Sequence, residues 1–252
     1  MKIAVVTGAS SGMGREFVKQ LDAQQTFDEI WVIARRKDRL LTLAEEIKAP
    51  IRAISLDLST RESFDEYAEL LRAENPEVVV LVNGSGFGKF GTFTEMDLDD
   101  QLAMIDLNDK ALVAITYLTL PYMKTGGQIY QIDSLSSFQP VPYINVYGAT
   151  KAFVLSFSRA LNVELKKRGI RVIAICPGWV RTEFFDRAVT DDTITYYNRY
   201  FDADEVVARA LRDMKKGKDV SVCGFSIRMQ VLATKLLPHK LVMKIWCKQQ
   251  KK

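Results

Sequence analysis

Apolar residues are distributed along this chain on two length scales. Short runs rich in Val and Ile occupy residues 2–7, 30–34, 51–56, 78–82, 128–133, 170–176 and 220–222. Several are apolar on both faces, as strands buried between two helix layers must be, whereas a half-solvated strand would alternate. Longer amphipathic spacers separate them and predict helices. Ser59-Thr60-Arg61-Glu62 predicts a capping box at the start of one. Glu74-Asn75-Pro76 predicts its end, because the residue before a proline is steered out of the helical region. Alternating β and α over this length predicts an α/β fold: a doubly wound parallel sheet of about seven strands with helices on both faces, in three layers. No repeat, low-complexity tract or long linker divides the chain. We expect one body over residues 1–225, extended by a tail over 226–252.

At 252 residues such a domain buries about three quarters of its unfolded surface. No apolar run reaches the roughly 18 residues of a membrane span. The first strand begins at Lys2, which leaves no room for a signal peptide. Cys176, Cys223 and Cys247 form no CxxC pair, so a reduced, cytoplasmic protein without a metal is expected. The net charge of +4 is uneven. No acid follows Asp219, whereas Arg228, Lys235, Lys240, Lys244, Lys248, Lys251 and Lys252 do. A mildly acidic body with a basic tail does not suggest nucleic-acid binding. In the tail, Lys240, Lys244 and Lys248 form one helical stripe, and Leu241, Val242, Ile245 and Trp246 another. Such a helix suits peripheral membrane contact or a partner, or it covers its own domain or a dimer mate.

Chemistry enters with Thr7-Gly8-Ala9-Ser10-Ser11-Gly12-Met13-Gly14, which follows the first strand and opens a helix. In that context Gly8 permits a tight turn, Gly12 lets the backbone approach a pyrophosphate, and Gly14 lets helix and sheet pack closely. The helix N-terminus offers N–H groups and positive dipole to the anion. The second strand runs into Arg35 and Arg36. An NAD site places an acid there for the ribose 2′-hydroxyl, and an NADP site places arginine for the 2′-phosphate. NADP(H) is therefore the expected cofactor.

Tyr147 and Lys151 stand at i and i+4 on a predicted helix and share a face. A lysine ammonium near a phenol favours phenolate, so the tyrosine pKa is expected to fall and the residue to serve as general acid or base. Ser134 follows the strand at 128–133 and aims at the crevice along the sheet's carboxyl edge, where it can bond a substrate oxygen.

These residues, in this order, resemble the short-chain dehydrogenase/reductase family in its compact form, from residue 2 to about 224. The resemblance implies a Rossmann-type sheet and the reduction of a carbonyl or oxidation of an alcohol. Residues 7–14 are similar to the family's glycine turn, placing Ser10, Ser11 and Met13 beside the cofactor with the three glycines. Asp57 and Leu58 resemble the adenine contacts. Asn83-Gly84-Ser85-Gly86 stands where the family has Asn-Asn-Ala-Gly, a departure expected to loosen that turn. Asn108 resembles the asparagine that holds a relay water. Pro177, Gly178, Val180 and Thr182 resemble the segment beside the nicotinamide, with Thr182 on the carboxamide. By the same resemblance Tyr147 donates the proton, Ser134 polarises the carbonyl, and Lys151 also binds the nicotinamide ribose. A homodimer or homotetramer packed through the Tyr147 helix is implied.

The single histidine, His239, lies in the tail, which excludes a histidine-based triad. Asp97, Asp99 and Asp100 read as a helix start and not a metal site. Residues 183–202, with Phe184, Phe185, Tyr196, Tyr197, Tyr200 and Phe201, fall where the family carries a substrate lid. They suggest either an aromatic pocket for a bulky apolar substrate or ordinary packing. Phe87 and Phe90 among Gly86, Gly88 and Gly91 suggest a flexible loop over the cleft. The expected substrate is a small-molecule ketone, aldehyde or alcohol. Hydroxysteroid-type dehydrogenase and 3-oxoacyl thioester reductase are alternatives, and a non-catalytic dinucleotide sensor is the contrasting class.

Overall fold

The computed structural model describes residues 1–189 and 191–252. The chain runs β1 (Lys2–Thr7), α1 (Gly12–Gln24), β2 (Glu29–Ala34), α2 (Lys37–Ala44), β3 (Ile51–Ser55), α3 (Arg61–Glu74), β4 (Glu77–Asn83) and α4 (Leu98–Ile105). A π-helical turn (Asp106–Lys110) leads into α5 (Ala111–Thr119), followed by β5 (Gln128–Ile132), α6 (Asn145–Glu164) and β6 (Arg171–Ile175). Then come β7 (Trp179–Val180), α7 (Phe184–Ala188), β8 (Tyr200–Phe201), α8 (Ala203–Lys215), β9 (Val220–Ser221), α9 (Phe225–Leu236) and α10 (His239–Gln249).

Seven strands form one parallel sheet in the order β3-β2-β1-β4-β5-β6-β9. The period-2 alternation of a strand explains the doubly apolar runs. In β1, Ala4 and Val6 join the core beneath α1 and α8, while Ile3 and Val5 join the core beneath α3 and α5. All four are fully buried. The strand order reverses between β1 and β4, and a crevice opens there at the carboxyl ends.

One local expectation is corrected. The cap of α3 is Thr60, one residue later than the capping box implies; its hydroxyl accepts from the Ser63 amide. Ser59 instead donates its amide and hydroxyl to the Asp57 carboxylate, at 3.1 and 2.7 Å. Asn75 does end α3, in the left-handed region at φ 42°. In the tail, Ile227 and Val231 of α9 are buried in the sheet's own core. Between 183 and 202 the lid contains α7 and β8, and β8 pairs in parallel with β7. Two-residue strands have no periodicity to read in a sequence. Thr190, within the expected lid, lies outside the described residues.

Candidate active site

The glycine turn lies at the switch point. Gly8 has φ +68°, and a Cβ there would sit 2.4 Å from the Gly84 carbonyl oxygen. A Cβ on Gly14 would sit 2.3 Å from the Gly8 oxygen, so the helix start and the turn touch through bare backbone. Thr7 Oγ1 accepts from the amides of Gly84 and Ser85, at 3.0 and 3.1 Å. The Gly84-Ser85 turn is thus joined to β1 through its backbone. The first turn of α1 has no side-chain cap and no acid, which leaves its N–H groups and dipole free to meet an anion.

At the end of β2, Arg36 donates to the hydroxyls of Ser10 and Ser11, at 3.1 and 3.0 Å. It also pairs with Glu183 at 2.8 Å, and Arg39 pairs with the same carboxylate. Arg36 foremost, with Arg39, holds the Glu183 carboxyl below its ordinary range. Arg35 is largely exposed, 3.9 Å from Asp57.

The catalytic candidates meet at the other end of the same cleft, which has a volume of about 490 Å³. Ser134 follows β5, and its hydroxyl accepts from the Ser136 amide at 3.2 Å. Tyr147 and Lys151 project from α6, both buried. Lys151 Nζ donates to the Ile132 carbonyl at 2.9 Å and lies 5.6 Å from the centre of the Tyr147 ring. The expected fall in the Tyr147 pKa is overturned: burial raises it, the Ser134 hydroxyl opposes the shift, and Asp133 adds to it. Lys151 is pushed down by burial against the attraction of Asp133 and Asp109. Burial pushes Asp133 up to about 7, with Lys151 pulling the other way. Asp109 is likewise pushed up to about 7. Cys176, free and buried at the end of β6, donates its thiol to Asp133 at 3.1 Å.

Two predicted residues stand behind the cleft. Asn83 donates to Thr116 Oγ1 and Gln131 Oε1, at 2.9 and 2.8 Å, tying β4 to β5 and α5. Asn108 lies in the π-helical turn, a distortion frequent at functional sites, and is 1% exposed. Its amide donates to the Phe87 carbonyl (2.9 Å) and Thr150 Oγ1 (3.1 Å) and accepts from the Phe87 amide (3.0 Å). The remaining predicted residues all line the cleft: Gly8, Ser10, Ser11, Gly12, Met13, Gly14, Arg35, Arg36, Asp57, Leu58, Gly84, Ser134, Tyr147, Lys151, Pro177, Gly178, Val180 and Thr182.

The lid aromatics both pack and line. Phe184 lies 5.5 Å from the Tyr147 ring, and Trp179 packs on Phe185 and Tyr197. In the loop above, a Cβ on Gly88 would meet the Phe184 ring at 2.7 Å. That glycine therefore serves a close approach.

Beyond Ser134 and Tyr147 a second chamber of about 220 Å³ opens, walled by Trp179, α9 and α10. Trp246 of α10 donates its indole N–H to the Pro142 carbonyl at 3.0 Å. Gln250 is 2% exposed; its Oε1 accepts from the amides of Thr195 and Tyr196, at 2.9 and 3.0 Å. The C-terminal end thereby holds the segment at residues 195–196. Sequence reasoning missed Glu183, Trp246 and Gln250 as site residues. Glu183 directly follows Thr182, a positional signal that could have drawn attention to it. Gln250 carries no such signal. Among the described residues no group of His, Cys, Asp and Glu could hold a metal ion.

Residues 2–193 match the family described as short chain dehydrogenase. Sulfoacetaldehyde reductase 2 of Chromohalobacter salexigens is 35% identical over 195 residues, 72% of this chain and 74% of that protein. A short-chain dehydrogenase from Sphingobium yanoikuyae, solved with NADPH, superposes with a TM-score of 0.80 at 29% identity over 94% of each chain. The bulky-bulky ketone specific alcohol dehydrogenase from Comamonas testosteroni gives 0.74 at 27% identity, over 94% of this chain and 92% of that one.

Proposed function

This chain belongs to the short-chain dehydrogenase family, and on that premise we propose that it is an NADP(H)-dependent oxidoreductase acting on a bulky, apolar ketone or secondary alcohol. The observation that carries the reading is the meeting of Ser134, Tyr147 and Lys151 in one cleft with the glycine turn. The cleft suits a dinucleotide: Gly8 and Gly14 leave no room for side chains, and the uncapped start of α1 suits a pyrophosphate. Arg35 and Arg36 suit a 2′-phosphate, and no acid ends β2. Asp57 and Leu58 would flank the adenine. Pro177, Gly178, Val180 and Thr182 would flank the nicotinamide, whose chemistry is to give or take a hydride.

The residues of the chain manage the proton. Burial keeps Tyr147 protonated, so it starts as the acid that reduction needs. Ser134 Oγ bonds the carbonyl oxygen and orients it toward the Tyr147 hydroxyl. The Lys151 ammonium stabilises the phenolate left behind and binds the nicotinamide ribose. Asn108 fixes the loop above through its bonds to Phe87 and Thr150; the relay water implied by the family resemblance would have to meet it from behind the cleft. Asn83 supports the sheet beneath.

The second chamber has no charged side chain in its described lining. A sulfonated aldehyde, the compound named for the Chromohalobacter relative, would find no cation there. A neutral bulky ketone, hydroxysteroids included, would bury its apolar body against Val141, Ile144 and Trp246. The exposed Leu102 and Ile105 of α4, Tyr117 of α5, and Phe153 and Val163 of α6 support a homo-oligomer. Three free cysteines suit a reduced, cytoplasmic setting.

The test is oxidation of NADPH and, separately, NADH against ketosteroids, other bulky ketones, 3-oxoacyl thioesters and simple aldehydes. Tyr147→Phe should cut turnover by about a hundredfold or more and leave NADPH binding intact. Surviving activity would overturn the mechanism, and an NADH preference would overturn the cofactor assignment. Tight NADPH binding with no turnover across the panel would favour a non-catalytic dinucleotide sensor.

A further inference from the structure

We infer that the outer face of α9 and α10 docks on an anionic lipid surface and that the substrate chamber opens onto that surface, so that a lipophilic carbonyl compound passes from the bilayer to Tyr147. The delivery route rests on the proposed reductase reading, while the docking face stands without it.

The inner faces of these helices are committed. Ile227 and Val231 enter the core, Val242 is buried, and Trp246 is bonded to Pro142. The outer face has no such partner. Phe225, Met229, Leu232 and Leu236 recur along α9 at positions i, i+4, i+7 and i+11, and so form one stripe. Phe225 is 71% and Leu236 75% exposed, and Leu237, Leu241 and Ile245 extend the apolar surface onto α10. Contiguous exposure of this kind marks a contact site.

Charge selects the partner. Arg228, Lys235, Lys240, Lys244 and Lys248 accompany the stripe, and no Asp or Glu lies beyond Asp219. Among the described residues none of these five cations forms a salt bridge, whereas elsewhere Arg15, Lys89 and Arg209, for example, sit beside carboxylates. An apolar stripe within uncompensated positive charge matches acyl chains beneath anionic headgroups, with lysine stems lying along the boundary.

The chamber is open on this same side. Leu237 and Ile245 belong both to the exposed apolar surface and to the chamber lining that includes Ser134 and Tyr147. A molecule dissolved in acyl chains would therefore meet apolar side chains from the mouth to the reacting atoms, without first crossing water.

The full chain should sediment with vesicles of equimolar phosphatidylcholine and phosphatidylglycerol and stay in solution with phosphatidylcholine alone. Lys240→Glu with Lys244→Glu should lower that affinity by about tenfold or more, and Leu236→Ser should also weaken it. All should keep wild-type thermal stability and turnover of a water-soluble ketone, because these side chains touch neither the cofactor cleft nor the core. Turnover of a ketone held in the anionic vesicles should fall in step with binding. Equal sedimentation with both vesicle types, or none with either, would overturn the docking face. A smaller oligomer on Leu236→Ser would overturn it too, by assigning the face to a second copy. An inactive wild type that still sediments would uphold docking and sink the reductase reading with its delivery route. An active enzyme whose turnover of vesicle-held ketone ignores the lysine reversals would sink the route alone.

Discussion

Arg36 joins three parts of the cofactor cleft through one guanidinium. It leaves β2, bonds the Ser10 and Ser11 hydroxyls of the glycine turn, and meets Glu183 at the start of the lid. The pair with Glu183 is half exposed, so it contributes little to stability; its importance is geometric. Glu183 keeps the guanidinium directed across the turn, where a 2′-phosphate would compete for it. Arg36→Ala should therefore weaken NADPH binding by about ten- to a hundredfold, the equivalent of a charge-assisted hydrogen bond, and change NADH binding far less. Titration of both cofactors by fluorescence would measure the difference. Arg36 was legible in the sequence because it follows a strand at a fixed place. Its acid was not, because Glu183 lies 147 residues away. Tyr147 shows a different limit. The i, i+4 spacing with Lys151 was readable, but the direction of its pKa shift follows from burial, which the Ser134 hydroxyl only opposes and Asp133 reinforces.

Among the elements, α3 shows how a correct motif can be misplaced by one residue. Ser59 and Thr60 are both good caps, and Glu62 favours the earlier frame. Asp57 decides the matter by taking the Ser59 hydroxyl, so Thr60 caps instead. Thr60→Ala should cost about 1 kcal/mol in urea unfolding and Ser59→Ala less; the reverse order would restore the original frame. The seven sheet strands were legible because burial on both faces leaves an unbroken apolar run. The β7–β8 pair was not. Each strand is two residues long, and the pairing exists only because the lid folds back.

Across the molecule, the second chamber is assembled from remote segments: the loop after β5, the start of α6, the Pro177–Trp179 bend, and α9 with α10. Gln250 holds the segment that carries the lining residue Tyr196 by accepting the amides of Thr195 and Tyr196. Gln250→Ala should raise KM for a bulky ketone by about tenfold, the equivalent of one to two hydrogen bonds, with NADPH affinity unchanged. Gln250→Glu keeps both acceptor positions but sets a carboxylate oxygen against the Tyr196 carbonyl that the Gln250 amide now meets at 3.3 Å, and should show a defect of similar size; wild-type KM in either variant would count against this role. The tail expected from residue 226 begins in a helix whose next turns enter the core.

The amino-acid order alone determined the alternating α/β layers, the glycine turn, the placement of Ser134, Tyr147 and Lys151, and the excess of cations at the end of the chain. Each is written in neighbouring residues or in a short period, where local sterics and strand or helix repeat dominate. Folding settled the burial of Tyr147, the supporting role of Asn83, the Glu183 clasp, and the use of α9 and α10 as a chamber wall. Those properties depend on which distant groups exclude water from one another, and no local spacing encodes that exclusion.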